Sequence, residues 1–204
     1  MSFKTPFTFI HQPGEEALRP LLLLHGTGGD EHALLDLAKA VAPNRAILAP
    51  RGLVSENGMN RYFRRFAEGL LDEDDVRFRA AELSTFITEA CANYGLQSPI
   101  ALGYSNGANI AAAILVLHPS ILSAAVLLRS MAPFRDMPIS DLAQKPVLLL
   151  TGEQDTMITA AGTENLATAL RKSGAKLTHK WVPTGHGLVK TDITATTEFL
   201  NTEA

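Results

Sequence analysis

Cysteine is nearly absent. Cys91 stands alone, so no internal disulfide can form. That fits a reducing, cytoplasmic setting. Cys91 falls in a helical pattern that ends at Tyr94-Gly95 and reads as a small buried hydrophobe. A basic excess is missing as well. Eighteen Lys and Arg stand against 21 Asp and Glu, a net charge of -3. The electrostatic footprint of a nucleic-acid binder is therefore absent. Residues 1–10 carry one lysine and no long apolar core, unlike a secretory signal. The longest apolar region, residues 110–128, is broken by His118-Pro119-Ser120, so no membrane span is expected. His11, His32, His118 and His179 are scattered, and no histidine pair has metal-ligand spacing. No metal is expected. Repeats, linkers and low-complexity segments are also missing, so residues 1–204 read as one domain.

What is present centres on Gly103-Tyr104-Ser105-Asn106-Gly107. The apolar run Pro99-Ile100-Ala101-Leu102 leads in, and an alanine-rich helical run from Ala108 leads out. A strand thus enters a tight turn and a helix leaves it, the context that gives G-x-S-x-G chemical meaning. Ser105 must hold a strained backbone with its side chain directed out of the turn. Gly103 and Gly107 keep Cβ atoms out of the crossing of strand and helix. The helix start aims N–H groups and the positive dipole end at the serine, which favours an oxyanion there. A bare glycine-flanked turn with an incidental serine is the plainer alternative, and the flanking strand and helix argue against it.

Elements alternate along the rest of the chain. Strands are expected at 7–10, 21–24, 46–49, 99–102, 124–128, 146–150 and 177–182. Helices are expected after Asp30, which can cap, and at 76–94, 108–115, 160–172 and 188–200. Gly95 is a natural helix stop. Residues 53–75 read as one long irregular stretch, a length that is usually functional or mobile. The alternation predicts an α/β fold: a mostly parallel sheet with helices on both faces. Ligands of such sheets bind at the carboxyl ends of the strands.

Ser105, Asp155 and His186 all fall where strands end. Serine needs a base within hydrogen-bond reach, which a neutral His186 supplies. Asp155 would hold the histidine tautomer and stabilise the imidazolium. Alone, Asp155 could be a helix cap and His186 a loop histidine. Their joint placement, in the order Ser, Asp, His, favours the catalytic reading. The turn His25-Gly26-Thr27-Gly28-Gly29 is expected to complete an oxyanion hole. Its donors are the backbone N–H of Thr27, with Gly28 as second choice, and of Asn106.

The blocks HGTGGDE at 25–31, FRRFAEGLLDEDDVRFRAAEL at 63–83 and GYSNGANIA at 103–111, with Asp155 and His186, resemble bacterial α/β-hydrolases of the carboxylesterase/phospholipase family. The hydroquinone-associated carboxylesterase type is the most similar. The resemblance implies the α/β-hydrolase fold without a separate cap domain, a triad of Ser105, Asp155 and His186, and hydrolysis of short acyl or aryl esters. It also implies no cofactor, a small-molecule partner and frequent homodimerisation. Thr156-Met157-Ile158-Thr159 departs from the family, which often has proline there. Thioester, lysophospholipid or lactone hydrolysis with the same triad, a hydrolase-fold receptor with little turnover, and an interaction module using the charged 61–75 surface stay open as alternatives. Residues 132–145 are too few for the lid that many such folds insert between these strands. The 53–75 stretch is then the expected roof, with Tyr62, Phe63, Phe66 and Arg64 as pocket candidates. The alternative places the two phenylalanines in the core and pairs the arginines with Glu68 or residues 72–75.

Overall fold

The computed structural model describes residues 4–202. Strands β1 (Phe9–Gln12) and β2 (Leu21–Leu24) come first, then helix α1 (Leu35–Val41) and strand β3 (Ile47–Pro50). Two hairpins follow: β4 (Val54–Glu56) with β5 (Met59–Arg61), and β6 (Arg65–Ala67) with β7 (Leu70–Leu71). The second half runs α2 (Glu73–Tyr94), β8 (Ile100–Tyr104), α3 (Asn106–Leu117), β9 (Ala124–Leu128), β10 (Pro146–Gly152), α4 (Ala160–Lys172), β11 (Lys176–Val182) and α5 (Lys190–Thr202).

Seven strands form the central sheet in the order β1-β3-β2-β8-β9-β10-β11. Only β1 runs antiparallel, against β3; the other pairs are parallel. The four leucines of β2 show why the sheet is covered twice. Leu22 and Leu24 join one core cluster, Leu21 and Leu23 the other. Successive side chains leave opposite faces of a strand, so an all-apolar strand demands two covers. Helices α2, α3 and α4 cover one face; α1 and α5 cover the other. Each fully buried leucine contributes about 1.5–3 kcal/mol to that packing. No described helix is long and apolar enough to cross a membrane.

The strand order reverses between β2 and β8, and such a reversal opens a crevice beyond the strand ends. Leu24 lies opposite Gly103 in register, so the turns after the two strands emerge side by side. Residues 25–29 and the serine elbow are thereby neighbours.

Four local expectations are corrected. Helix α2 begins at Glu73, ahead of residue 76, because Asp72 caps it by accepting the Asp75 N–H at 3.2 Å. The acidic run is thus a helix start, where carboxylates meet the positive dipole end. Asp30 does not cap α1; it accepts the His32 N–H at 2.9 Å in the preceding turn, and α1 starts at Leu35. The 53–75 stretch is not irregular, since it carries the two hairpins. Gly95 does end α2, with φ 66°. Cys91 is half-buried rather than fully enclosed, and burial pushes its thiol pKa up to about 11.

Candidate active site

Ser105 joins β8 to α3 with φ 52° and ψ −114°. A non-glycine residue held there costs about 1–3 kcal/mol, which the surroundings must enforce. The Ser105 N–H donates to Leu128 O at 2.8 Å, and Ser105 O accepts the Asn109 N–H at 2.9 Å. The flanking glycines act by allowing close approach. A Cβ on Gly107 would lie 2.0 Å from Leu24 O, and one on Gly103 2.7 Å from Ala108 Cα. Either methyl would drive α3 away from the sheet.

His186 reaches the serine from the loop after β11. Its Nε2 is 2.9 Å from Ser105 Oγ, and its Nδ1 is 2.8 Å from Asp155 Oδ2. A carboxylate can only accept, so Nδ1 carries the proton and Nε2 faces the serine hydroxyl with its lone pair. Asp155 is itself held: Oδ1 accepts the N–H groups of Met157 at 2.9 Å and Ile158 at 3.0 Å. Those bonds supply an anchor in the loop where family proline is missing.

The histidine loop is clamped from below by a group that sequence reasoning missed. Arg129 follows β9 and is fully buried, with φ 56°. Its guanidinium donates to Gly185 O at 3.1 Å and Gly187 O at 3.0 Å, on either side of His186. It also pairs with both oxygens of Asp192 on α5, at 2.9 and 2.7 Å. Asp192 in turn accepts the Val189 N–H at 2.8 Å. From above, Tyr104 OH donates to His186 O at 3.0 Å. The only sequence signal was an arginine directly after five apolar residues; nothing local named its partner.

On the other side of Ser105, the turn after β2 is equally determined. His25 is buried, donates from Nδ1 to Gly26 O at 2.7 Å and accepts the Gly52 N–H on Nε2 at 3.0 Å. Burial lowers its pKa, so it stays neutral in that tautomer. The Gly28 N–H donates to Asn60 O at 2.9 Å. Among the described residues, the N–H groups of Thr27 and Asn106 have no acceptor, and both residues line the cavity at Ser105.

That cavity is about 360 Å³ and contains Ser105 and His186. The hairpin stretch builds one wall with Met59, Arg61, Arg65, Glu68 and Leu71. The opposite wall holds Tyr104, Asn109, Met131, Met157 and Ile158. Asn109 fixes that side, since its Oδ1 accepts Ser130 Oγ and the Met131 N–H, both at 3.0 Å.

The stretch named from sequence is therefore in place, but the four residues chosen from it do not line the cavity. Phe63 lies in the core at 0% exposure, while Phe66 is 72% exposed. Arg64 points to solvent and pairs with Asp72 and Asp75. Tyr62 is buried: its OH donates to Pro50 O at 2.7 Å, and its N–H donates to Asn106 Oδ1 at 2.7 Å. It braces the elbow, and burial raises its phenol pKa above the ordinary value. Arg61 ends β5 and Arg65 begins β6, and both line the wall. Residues 62–64 form the non-strand link between the two hairpins, tied inward by the Tyr62 N–H on Asn106 Oδ1 and the Arg64 N–H on Asp75 Oδ2, both 2.7 Å, so their side chains miss the cavity.

Residues 6–204 match the phospholipase/carboxylesterase family. MhqD of Bacillus subtilis (strain 168) is 44% identical over 172 residues, 83% of this chain and 86% of MhqD. The Bacillus cereus carboxylesterase structure superposes with a TM-score of 0.95 at 40% identity, covering 98% of this chain and 95% of that one. A carboxylesterase from Mesorhizobium loti gives a TM-score of 0.86 at 32% identity, over 90% of this chain and 88% of its own. With the α/β-hydrolase fold and a match spanning nearly its whole length, the chain belongs to the phospholipase/carboxylesterase family.

Proposed function

We propose that the protein hydrolyses carboxylic esters through an acyl-enzyme on Ser105. The observation that carries this reading is the relay of 2.9 Å from Ser105 Oγ to His186 Nε2 and 2.8 Å from His186 Nδ1 to Asp155. Carboxylesterase relatives at 40% and 32% identity support an ester as substrate.

In the first half-reaction, His186 Nε2 takes the Ser105 proton as Oγ attacks the ester carbonyl carbon. The carbonyl π pair moves onto oxygen, which the N–H groups of Thr27 and Asn106 receive. Collapse breaks the bond to the alcohol oxygen, which leaves with the proton held by His186. In the second, water gives a proton to His186 and attacks the acyl carbon. Ser105 leaves with that proton, and the acid is released. Asp155 keeps Nδ1 protonated throughout and stabilises the transient imidazolium.

The test is an activity screen over short acyl and aryl p-nitrophenyl esters, with Ser105→Ala as control. A fluorophosphonate probe should label Ser105, and Ser105→Ala should lose on the order of 10³-fold or more in kcat. Labelling elsewhere, or full activity in Ser105→Ala, refutes the assignment.

A further inference from the structure

We propose that the esters turned over here carry a carboxylate, received by Arg61 and Arg65 on the hairpin wall of the cavity. The inference rests on the hydrolase reading above and narrows its substrate class.

The wall holds an unusual charge arrangement. Arg61 is buried; its Nε donates to Phe63 O at 3.1 Å and its Nη1 to Thr27 Oγ1 at 2.8 Å. Arg65 is partly buried beside it. The two guanidinium groups share one inner carboxylate, Glu56. Arg65 Nε lies 3.1 and 3.2 Å from its oxygens, and Arg61 Nη1 lies 3.4 Å away. Glu56 alone balances only one of these two positive charges.

The second is met by Glu68, which also lines the cavity and accepts from Arg65 Nη1. Glu68 differs from Glu56 in kind. Its side chain is 57% exposed, and it lies in the loop between β6 and β7. An ion pair this exposed is weak, so an incoming anion can compete with it. Neither Arg61 Nη2 nor Arg65 Nη2 donates to an acceptor among the described residues, and neither atom is sealed from solvent. A planar guanidinium with an unused amino edge suits a carboxylate, which accepts on two oxygens. Glu68 is thus an internal carboxylate standing where the carboxylate of a substrate would bind. The rest of the cavity, with Met59, Leu71, Met131, Met157 and Ile158, suits a short apolar body between that group and the scissile ester. The matching chemistry is a monoester of a short dicarboxylic acid, or an ester whose alcohol bears a carboxylate.

The experiment compares p-nitrophenyl hemiesters of succinate, glutarate and adipate with neutral esters of the same chain length. The readout is the ratio of kcat/KM, anionic over neutral. Arg65→Gln should lower that ratio about tenfold or more at the favoured length. Glu68→Gln should raise it about twofold to fivefold, because it removes the competing carboxylate. Opposite movements from two neighbouring residues are not the mark of a disturbed hairpin. Ratios within twofold of wild type in both variants, at every length, overturn the proposal. A second arm needs no turnover: calorimetric binding of glutarate to Ser105→Ala should weaken with Arg65→Gln and strengthen with Glu68→Gln. Unchanged binding in that arm also counts against the arginine wall. If Ser105 is not labelled and no ester reacts, the hydrolase reading fails by itself, and the glutarate arm still judges the wall.

Discussion

Replacing Arg129 separates what holds the fold from what holds the histidine. Arg129 and Asp192 are both 0% exposed and joined by two hydrogen bonds of 2.9 and 2.7 Å. Arg129→Met leaves a buried carboxylate whose remaining donor among the described residues is the Val189 N–H, and it strips donors from Gly185 O and Gly187 O. Breaking a buried pair by removing one partner costs about 3–5 kcal/mol. For a chain of this size that is a fall in Tm of about 6–20 °C. Replacing both charges, Arg129→Met with Asp192→Leu, removes the stranded carboxylate and should recover at least about half of the loss. Activity should not follow stability. The double variant still lacks the guanidinium that grips both sides of His186, so kcat should fall on the order of tenfold to a hundredfold with little change in KM. Urea unfolding followed by circular dichroism, beside ester kinetics, reads both quantities. A single variant that loses less than about 1 kcal/mol would refute the stability argument. A double variant with wild-type kcat would refute the positioning argument.

Phe63→Ala should cost about 3–5 kcal/mol of unfolding free energy, whereas Phe66→Ala, at an exposed site, should stay within about 0.5 kcal/mol. Equal losses in the two would contradict the packing described. Gly107→Ala places a methyl 2.0 Å from Leu24 O, so the elbow should not close. Soluble protein with normal Ser105 labelling would count against that geometry. Arg51, hydrogen-bonded through two nitrogens, holds the Glu31 pKa down to about 2, against an ordinary 4.5. A depressed carboxylate stabilises the folded state above the unfolded pKa and loses that contribution as pH falls through the folded one. The stability advantage of wild type over Glu31→Gln should therefore be full above about pH 4.5 and gone by about pH 2. An advantage independent of pH across that window would remove the ion pair as its source.

The elbow, the alternation of elements and the chain order of Ser105, Asp155 and His186 were legible in the residues themselves. Each is written in short-range pattern: a glycine spacing between a strand and a helix, or apolar runs at the period of their element. The position of each residue at a strand end follows from that pattern, and the parallel sheet then gathers strand ends along one edge. The hairpin stretch was also identifiable as a wall, because the short 132–145 connection left no other roof. Which of its residues face the cavity was not, since the 62–64 link between the hairpins is set by distant ties to Asn106 and Asp75. Nor could residue order alone join Arg129 to Asp192 across 63 positions, or Tyr62 to Asn106 across 44. Local periodicity says which side of an element is buried. It does not say which distant charge or amide shares that interior, because that pairing exists only once the helices have packed onto the sheet.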